Sequence, residues 1–370
     1  MKKVEKMIEK IHIQNFKSIY DLELEVGRVN LFIGENGSGK SNLLEALVFV
    51  SASESNMLAN EFLVSRGLRV PEPELMRSAF YEEDRDKDIT IQIDYKEDIS
   101  DTYYLSHDNQ PYSNWVFTTN LIQLITDYEN YSNEEEYNNY YGYMRLKNII
   151  NFKNFIIYSP ENTALRVFQK EGQIQPLGIN GEGLLKLLKV INNYEDKSYI
   201  NTIIESLQLF NWFEDITIPS DISSMEDKVI IKDKYLYREF TQRSANEGFL
   251  FILFYITLIV AKETPKAFAI DNIDASLNPK LCTKLMTLLT DLAKKYDKQI
   301  FLTTHNPAIL DGINLNDKEQ KLFVVSRNKK GHTRMKEITV ENKPKSSTDE
   351  ALKLSEAFLR GYLGGLPKGF

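Results

Sequence analysis

Apolar positions along the chain fall into three rhythms. Short unbroken runs predict buried strands. One ends at Ile33, one covers Ala267 to Ile270 as expected of a parallel strand, and one lies at the start of "QIFLTTHNPAIL" (299–310). Residues 88–95, DITIQIDY, instead alternate in the manner of a half-buried strand, and 102–106 with 115–118 can pair beside it. "NFIIYSPEN" adds a further strand. Helical spacing governs "GEGLLKLLKVINN" and "YINTIIESLQLF", which predict a helical lobe. The segment GFLFILFYITLIVA (248–261) is apolar on all sides but too short to span a bilayer, so it predicts a helix buried in a protein core. Beyond residue 320, "KLFVVSRNKKGHTRMKEITV" reads as a hairpin, followed by a helix and a Gly-Pro tail. Neither a sustained heptad pattern nor an internal repeat is visible.

The first apolar run leads into the most specific stretch of the chain, "LFIGENGSGKSNLLEAL" (31–47). It fits the phosphate-loop pattern G-x-x-x-x-G-K-[ST], with the required strand before it and helix after it. Gly34, Gly37 and Gly39 permit positive φ and close backbone approach, so that successive N–H groups converge on phosphate oxygens. Lys40 supplies a point charge for the β and γ phosphates. Ser41 offers its hydroxyl to Mg²⁺, and the helix start turns its positive end toward the anion. The candidate ATP ligands here are Gly34, Asn36, Gly37, Ser38, Gly39, Lys40, Ser41 and Asn42. Asp271, ending the second apolar run, is the candidate carboxylate for the hydrated Mg²⁺ shared with Ser41. His305 stands just past the third strand, where it can sense a γ-phosphate.

Composition narrows the partners. The formal charge of −8 gives the whole molecule no general attraction to nucleic acid or to an anionic membrane, and no membrane contact is expected. A single cysteine, Cys282, excludes an intramolecular disulfide and fits a reducing cytoplasm. The N-terminus lacks an apolar run of signal-peptide length and reads as mature protein. The four histidines are scattered, which argues against an HNH or zinc site. Residues 120–151 are rich in Tyr, Asn and Glu, as in "YENYSNEEEYNNYYGYMRLKN". A helical arm, a mobile loop and a base-stacking platform are all compatible with that composition, although the acidic run Glu134–Glu136 speaks against stacking.

The order of motifs resembles the SMC/RecF-type ABC ATPases. "IQNFKSIYDLELEVGRVNLFIGENGSGKSNLLEAL" is similar to their N-terminal half. "RSANEGF" falls in the signature slot, "AIDNIDASLNP" in the Walker B and D-loop slot, and "LTTHNP" in the histidine-switch slot. Within that class the phrases "IDNIDASLNPKL", "TTHNPAILDG" and "LGGLPKGF" are most similar to stand-alone ATPases of bacterial anti-phage systems, namely the Septu ATPase subunit and relatives in retron and abortive-infection loci. The resemblance implies an α/β fold: an ABC-type ATPase head with a mixed central sheet, an antiparallel β subdomain and an inserted helical lobe. It divides the chain into an N-terminal half-head (1–52), an inserted lobe and arm (53–235), a C-terminal half-head (236–330) and a terminal hairpin, helix and tail (331–370).

It also implies two heads closing on ATP, the phosphate loop of one facing the signature motif of the other. On this chain Ser244 falls at the helix start that caps the opposing γ-phosphate, Lys17 and Ser18 lie near the base and phosphates, and Ala275 to Asn278 form the D-loop. Glu161 or Asn162 fills the Q-loop slot. Two departures stand out. The second Walker B carboxylate is replaced by Asn272, and an amide cannot accept the proton of the attacking water. Asp274 stands two residues on as a substitute acid, and Asn246 occupies a position where the family has glycine. Firm ATP binding with slow or regulated hydrolysis is therefore expected.

The hairpin, helix and tail read after His305 lead to the expectation that no nuclease follows the ATPase motifs. The leading expectation is an ATP- and Mg²⁺-binding regulator that forms a homodimer or higher homo-oligomer and controls a separate effector protein, a nuclease acting against phage, with any nucleic acid reached through that effector. The alternatives are a RecF-like DNA-repair clamp and a non-hydrolysing scaffold. The stretch Ala351–Phe370 carries two readings, a docking tail or a helix packed on its own domain.

Overall fold

The computed structural model describes residues 7–96, 99–120, 152–167, 176–220, 228–344 and 352–365. The Tyr/Asn-rich segment, apart from Asn120, lies outside the described residues. The chain divides into two compact units, Met1–Phe155 with Leu315–Lys343 and Leu363–Phe370, and Ile156–Asn314 with Pro344–Tyr362.

The chain enters the first unit with strands β1 (Ile8–Phe16), β2 (Ile19–Glu25) and β3 (Val29–Gly34) and helix α1 (Lys40–Glu54). Short helices α2 (Asn60–Ser65) and α3 (Pro73–Met76) precede β4 (Ile89–Tyr95), β5 (Ile99–Ser106) and β6 (Val116–Thr119). An antiparallel sheet runs in the order β2-β1-β4-β5-β6. The alternation of "ITIQIDY" becomes an alternation of buried and half-exposed side chains on β4, as the sequence predicts, and β5 and β6 pair beside it. Every residue of β3 is buried. Helix α1 packs Phe49 between Phe16 and Trp115, with ring centroids 6.2 and 5.2 Å apart.

In the second unit β7 (Ile157–Tyr158), α4 (Leu184–Asn192) and α5 (Ser198–Leu207) lead into a small antiparallel sheet of β8 (Phe213–Thr217), β9 (Ile230–Asp233) and β10 (Phe240–Thr241). Helix α6 (Glu247–Val260) follows, buried from Phe249 to Val260, so the apolar segment is a core helix. It packs against α4, α5 and α7 (Pro279–Lys295), and at its N-terminal end Phe210, Trp212 and Phe213 close around Phe249. Strand β11 (Ala267–Ile270) pairs in parallel with β7 on one side and with β12 (Gln299–Thr304) on the other. No helix among the described residues is long and apolar enough to cross a membrane.

Returning to the first unit, β13 (Gln320–Arg327) lies parallel to β3 and forms the expected hairpin with β14 (Thr333–Glu337). These strands mix parallel and antiparallel pairing. The last helix, α8 (Leu354–Leu359), packs on the 3-10 turn Pro307–Gly312 of its own unit. Ser355 bonds Asp311 there, and Leu354, Ala357 and Phe358 are buried. Of the two readings of this stretch, the packed helix is the one its described residues adopt.

Candidate nucleotide-binding site

The glycine-rich loop of the first unit is shaped by three glycines for three different reasons. A Cβ at Gly34 would lie 2.1 Å from the Val325 carbonyl oxygen, so only glycine lets the end of β3 sit this close to β13. Gly37 has φ +75° with nothing within 4 Å of its Cβ position, an open left-handed turn. Gly39 has φ +105°, and a Cβ there would meet the Thr333 hydroxyl at 2.1 Å. The Lys40 ammonium is buried against the Gly34 and Glu35 carbonyls at 2.9 and 3.0 Å, curled inside the loop. Ser38 is buried and its hydroxyl has no hydrogen-bond partner. A buried hydroxyl without a partner is costly, and a bound phosphate offers one. Asn36 is exposed at the tip, while Ser41 and Asn42 open the first turn of α1 at intermediate exposure.

Lys17 and Ser18 lie in the β1–β2 turn, and the structure gives both intramolecular partners. Lys17, with φ +48°, donates to Glu45 at 2.5 Å and to the Arg69 carbonyl at 2.7 Å. Glu45 is almost fully buried on α1 and also accepts from Arg69 Nε at 2.6 Å. A buried carboxylate needs such cations. Burial lowers the Lys17 pKa, against the opposing pull of Glu45. Ser18 pairs with the Thr333 hydroxyl at 2.7 Å and accepts from the Asn42 amide at 2.6 Å.

The second unit holds the other motifs. Asp271 ends β11, its N–H bonded to the Tyr158 carbonyl at 2.9 Å and its carboxylate bonded by the Thr303 hydroxyl. Asn272 takes φ +55°, in the left-handed region that asparagine tolerates better than glutamate does. Its N–H donates to the Thr303 hydroxyl at 2.9 Å. Asp274 does not stand free: its Oδ1 accepts from the Thr304 hydroxyl at 2.5 Å and from the His305 N–H at 3.4 Å. His305 is exposed just beyond β12.

At the signature slot the helix begins at Glu247, and Asn246 is its N-cap, with its side chain accepting from the Phe249 N–H at 2.8 Å. Ser244 was expected at the helix start; it lies instead one 3-10 turn earlier, because Asn246 does the capping. This also explains asparagine at the position where glycine was expected. Glu247 receives the Ser276 hydroxyl at 2.5 Å, which ties the D-loop to this helix. An open groove of about 760 Å³ runs alongside, lined by Phe210, Trp212, Asn246, Gly248, Ser276 and Lys284 among others.

Several contributing residues escape sequence reasoning. Thr303 and Thr304 hold the two acids, and the "TTH" triplet was the available signal. Arg166 grips the turn ahead of the signature helix, donating to the carbonyls of Gln242, Arg243 and Ala245 at 2.9, 2.7 and 2.9 Å and to Asn162 Oδ1 at 3.0 Å. Thr333 and Arg327 hold the phosphate loop, and nothing in the local sequence marks them.

The glycine-rich loop, set between a buried strand and a helix of an α/β fold, has the spacing and backbone geometry of a phosphate-binding loop. The chain belongs to the family described as "AAA domain, putative AbiEii toxin, Type IV TA system", whose model matches residues 29–311. Among solved structures it is similar to an SMC head bound to the C-terminal winged-helix domain of ScpA, with TM-score 0.60 and 14% identity over 90% of this chain and 98% of that one. It is likewise similar to the Pyrococcus furiosus SMC head with an extended coiled coil bound to the ScpA C-terminal domain, with TM-score 0.58 and 14% identity over 90% and 96%. Curated relatives match shorter segments. An uncharacterized protein of Methanocaldococcus jannaschii is 46% identical over 67 residues, 16% of this chain and 31% of that protein. The DNA replication and repair protein RecF of Porphyromonas gingivalis is 43% identical over 61 residues, 16% and 17% of the two chains. The chain thus covers less than a third of the length of these relatives.

Proposed function

We propose that the chain is an ATP-binding head that pairs with a second copy around MgATP and, in that state, governs a separate effector protein, a nuclease, in defence against phage. The observation that carries the nucleotide part is the loop itself: an open Gly37 turn, a buried partnerless Ser38 hydroxyl and a Lys40 ammonium held inside the loop. These residues fit a polyphosphate. Lys40 and the loop N–H groups would hold its oxygens, and Ser41 would offer its hydroxyl to Mg²⁺, which supplies charge neutralisation when bound. The hydrolytic side is muted, since Asn272 cannot take a proton and Asp274 is occupied by Thr304 and His305. His305 serves as the γ-phosphate sensor. The family's description as a putative toxin of a Type IV TA system supports a link to a toxic activity. The RecF similarity favours, as a second reading, a DNA clamp, against which the net charge of −8 weighs.

Mass photometry with parallel phosphate release, with and without ATP-Mg²⁺, on wild type and Lys40→Ala tests the reading. ATP-dependent assembly that Lys40→Ala abolishes, with slow phosphate release, is the expected result. A wild type that neither binds ATP nor changes assembly overturns it in favour of a scaffold. Tight, salt-sensitive binding of duplex DNA by the chain alone turns it toward the clamp.

A further inference from the structure

The β13–β14 hairpin closes on the register pair Arg327 and Thr333, whose side chains share one face. Both reach the phosphate loop. Arg327 Nε donates to the Gly37 carbonyl at 2.7 Å, and the Thr333 hydroxyl donates to the next carbonyl, that of Ser38, at 2.9 Å. A hydroxyl has one hydrogen to give, so Thr333, having given its own to Ser38, must accept from Ser18 across their 2.7 Å contact. Ser18, having given its hydrogen to Thr333, accepts from the Asn42 amide at 2.6 Å. The bonds therefore run in one direction, from Asn42 through Ser18 and Thr333 to the loop carbonyl. The Thr333 N–H also donates to the Ser18 carbonyl at 2.7 Å. The turn that presents Thr333 is itself tight, with Asn328 bonded to Gly331 and His332 through its main chain and to His332 through its side chain.

We propose that Thr333 and Arg327 are positioning residues of the phosphate loop, an inference that rests on the nucleotide reading above. A trans peptide is planar, and the N–H of one residue points opposite to the carbonyl of the residue before it. Drawing the Gly37 and Ser38 carbonyls onto the hairpin turns the N–H groups of Ser38 and Gly39 to the other side. Ser38 N–H accordingly points into the loop, 3.3 Å from the Glu35 carbonyl, at a length from which a phosphate oxygen can take it over. Gly39 is required because any Cβ would displace the Thr333 hydroxyl. The hairpin thus sets the anion-binding geometry before nucleotide arrives, and Ser18 and Asn42 act by orienting the Thr333 hydroxyl.

The test is calorimetric titration of ATP-Mg²⁺ into the full chain as wild type, Thr333→Val, Thr333→Ser and Arg327→Ala, with nucleotide-free melts in parallel. Valine keeps the shape and removes the hydroxyl, whereas serine keeps the hydroxyl. Thr333→Val is expected to weaken ATP about tenfold and Thr333→Ser to stay within about twofold. The exposed Arg327 can be truncated without disturbing the core, so Arg327→Ala serves if Thr333→Val does not fold, with a loss of about threefold to tenfold. Equal affinity of the wild type, Thr333→Val and Arg327→Ala overturns the inference alone. Failure of serine to rescue, with losses that follow the melting temperature, assigns Thr333 to structure and also overturns it. A wild type that binds no ATP overturns the nucleotide reading itself.

Discussion

The loop of the first unit and the acid cluster of the second are both gripped by side chains from distant parts of the chain, yet to opposite ends. In the loop the gripped groups are the Gly37 and Ser38 carbonyls, and the buried Ser38 hydroxyl keeps no hydrogen-bond partner. In the acid cluster the gripped groups are the carboxylates themselves, Asp271 by Thr303 and Asp274 by Thr304. On the proposed reading, this contrast favours binding over cleavage. Preorganisation of one motif says nothing about readiness of the next.

The contrast can be broken most directly at Asn272. Supplying the missing base with Asn272→Glu is expected to raise phosphate release on the order of a hundredfold, at a stability cost of about 1 kcal/mol from the left-handed backbone; a steady-state phosphate assay and a melt read the two effects. An unchanged rate would show that Asn272 is not what limits turnover. Lys40→Ala attacks the other half: ATP affinity should fall about thirtyfold to a hundredfold in calorimetry. Gly39→Ala combines a clash with the Thr333 hydroxyl and a positive φ, so urea unfolding should show a loss of about 3 kcal/mol together with weakened ATP binding.

The smallest effect concerns the hairpin turn. His332 is buried against Tyr20 and Phe80, and burial, helped by Lys330 and Arg334, lowers its pKa below the ordinary 6.5. The unfolded chain then binds the proton first as pH falls through 6.5, so the stabilisation is complete above that pH and is lost below it. The melting temperature should decline as pH falls below about 6.5, and His332→Phe should flatten that decline.

The loop was legible because its chemistry is local: glycine spacing, Lys40 and Ser41 stand within a few residues between a strand and a helix. The buried strands, the β4 alternation and the apolar core helix were legible for the same reason, since period and length are properties of short windows. What holds the loop was not legible. Arg327 and Thr333 are separated from their loop partners by 290 and 295 residues, and neither belongs to a spaced motif. Lys17 shows an intermediate case. Its motif pointed to nucleotide, while the demand of a buried Glu45 for a cation becomes visible only once α1 is packed. At Asn246 the family comparison suggested a missing glycine, and the local rule for helix starts would have named it a cap.

The all-round apolar helix α6 has a consequence for the order in which the protein can be made. Its packing partners α4 and α5 lie upstream, but α7 lies downstream, so no newly made chain can bury the whole helix until residue 295 has left the ribosome. At ordinary elongation rates that leaves its apolar surface waiting for a few seconds. During that interval the nascent chain presents a strong site for chaperone capture, and truncation between α6 and α7 yields a product prone to aggregation.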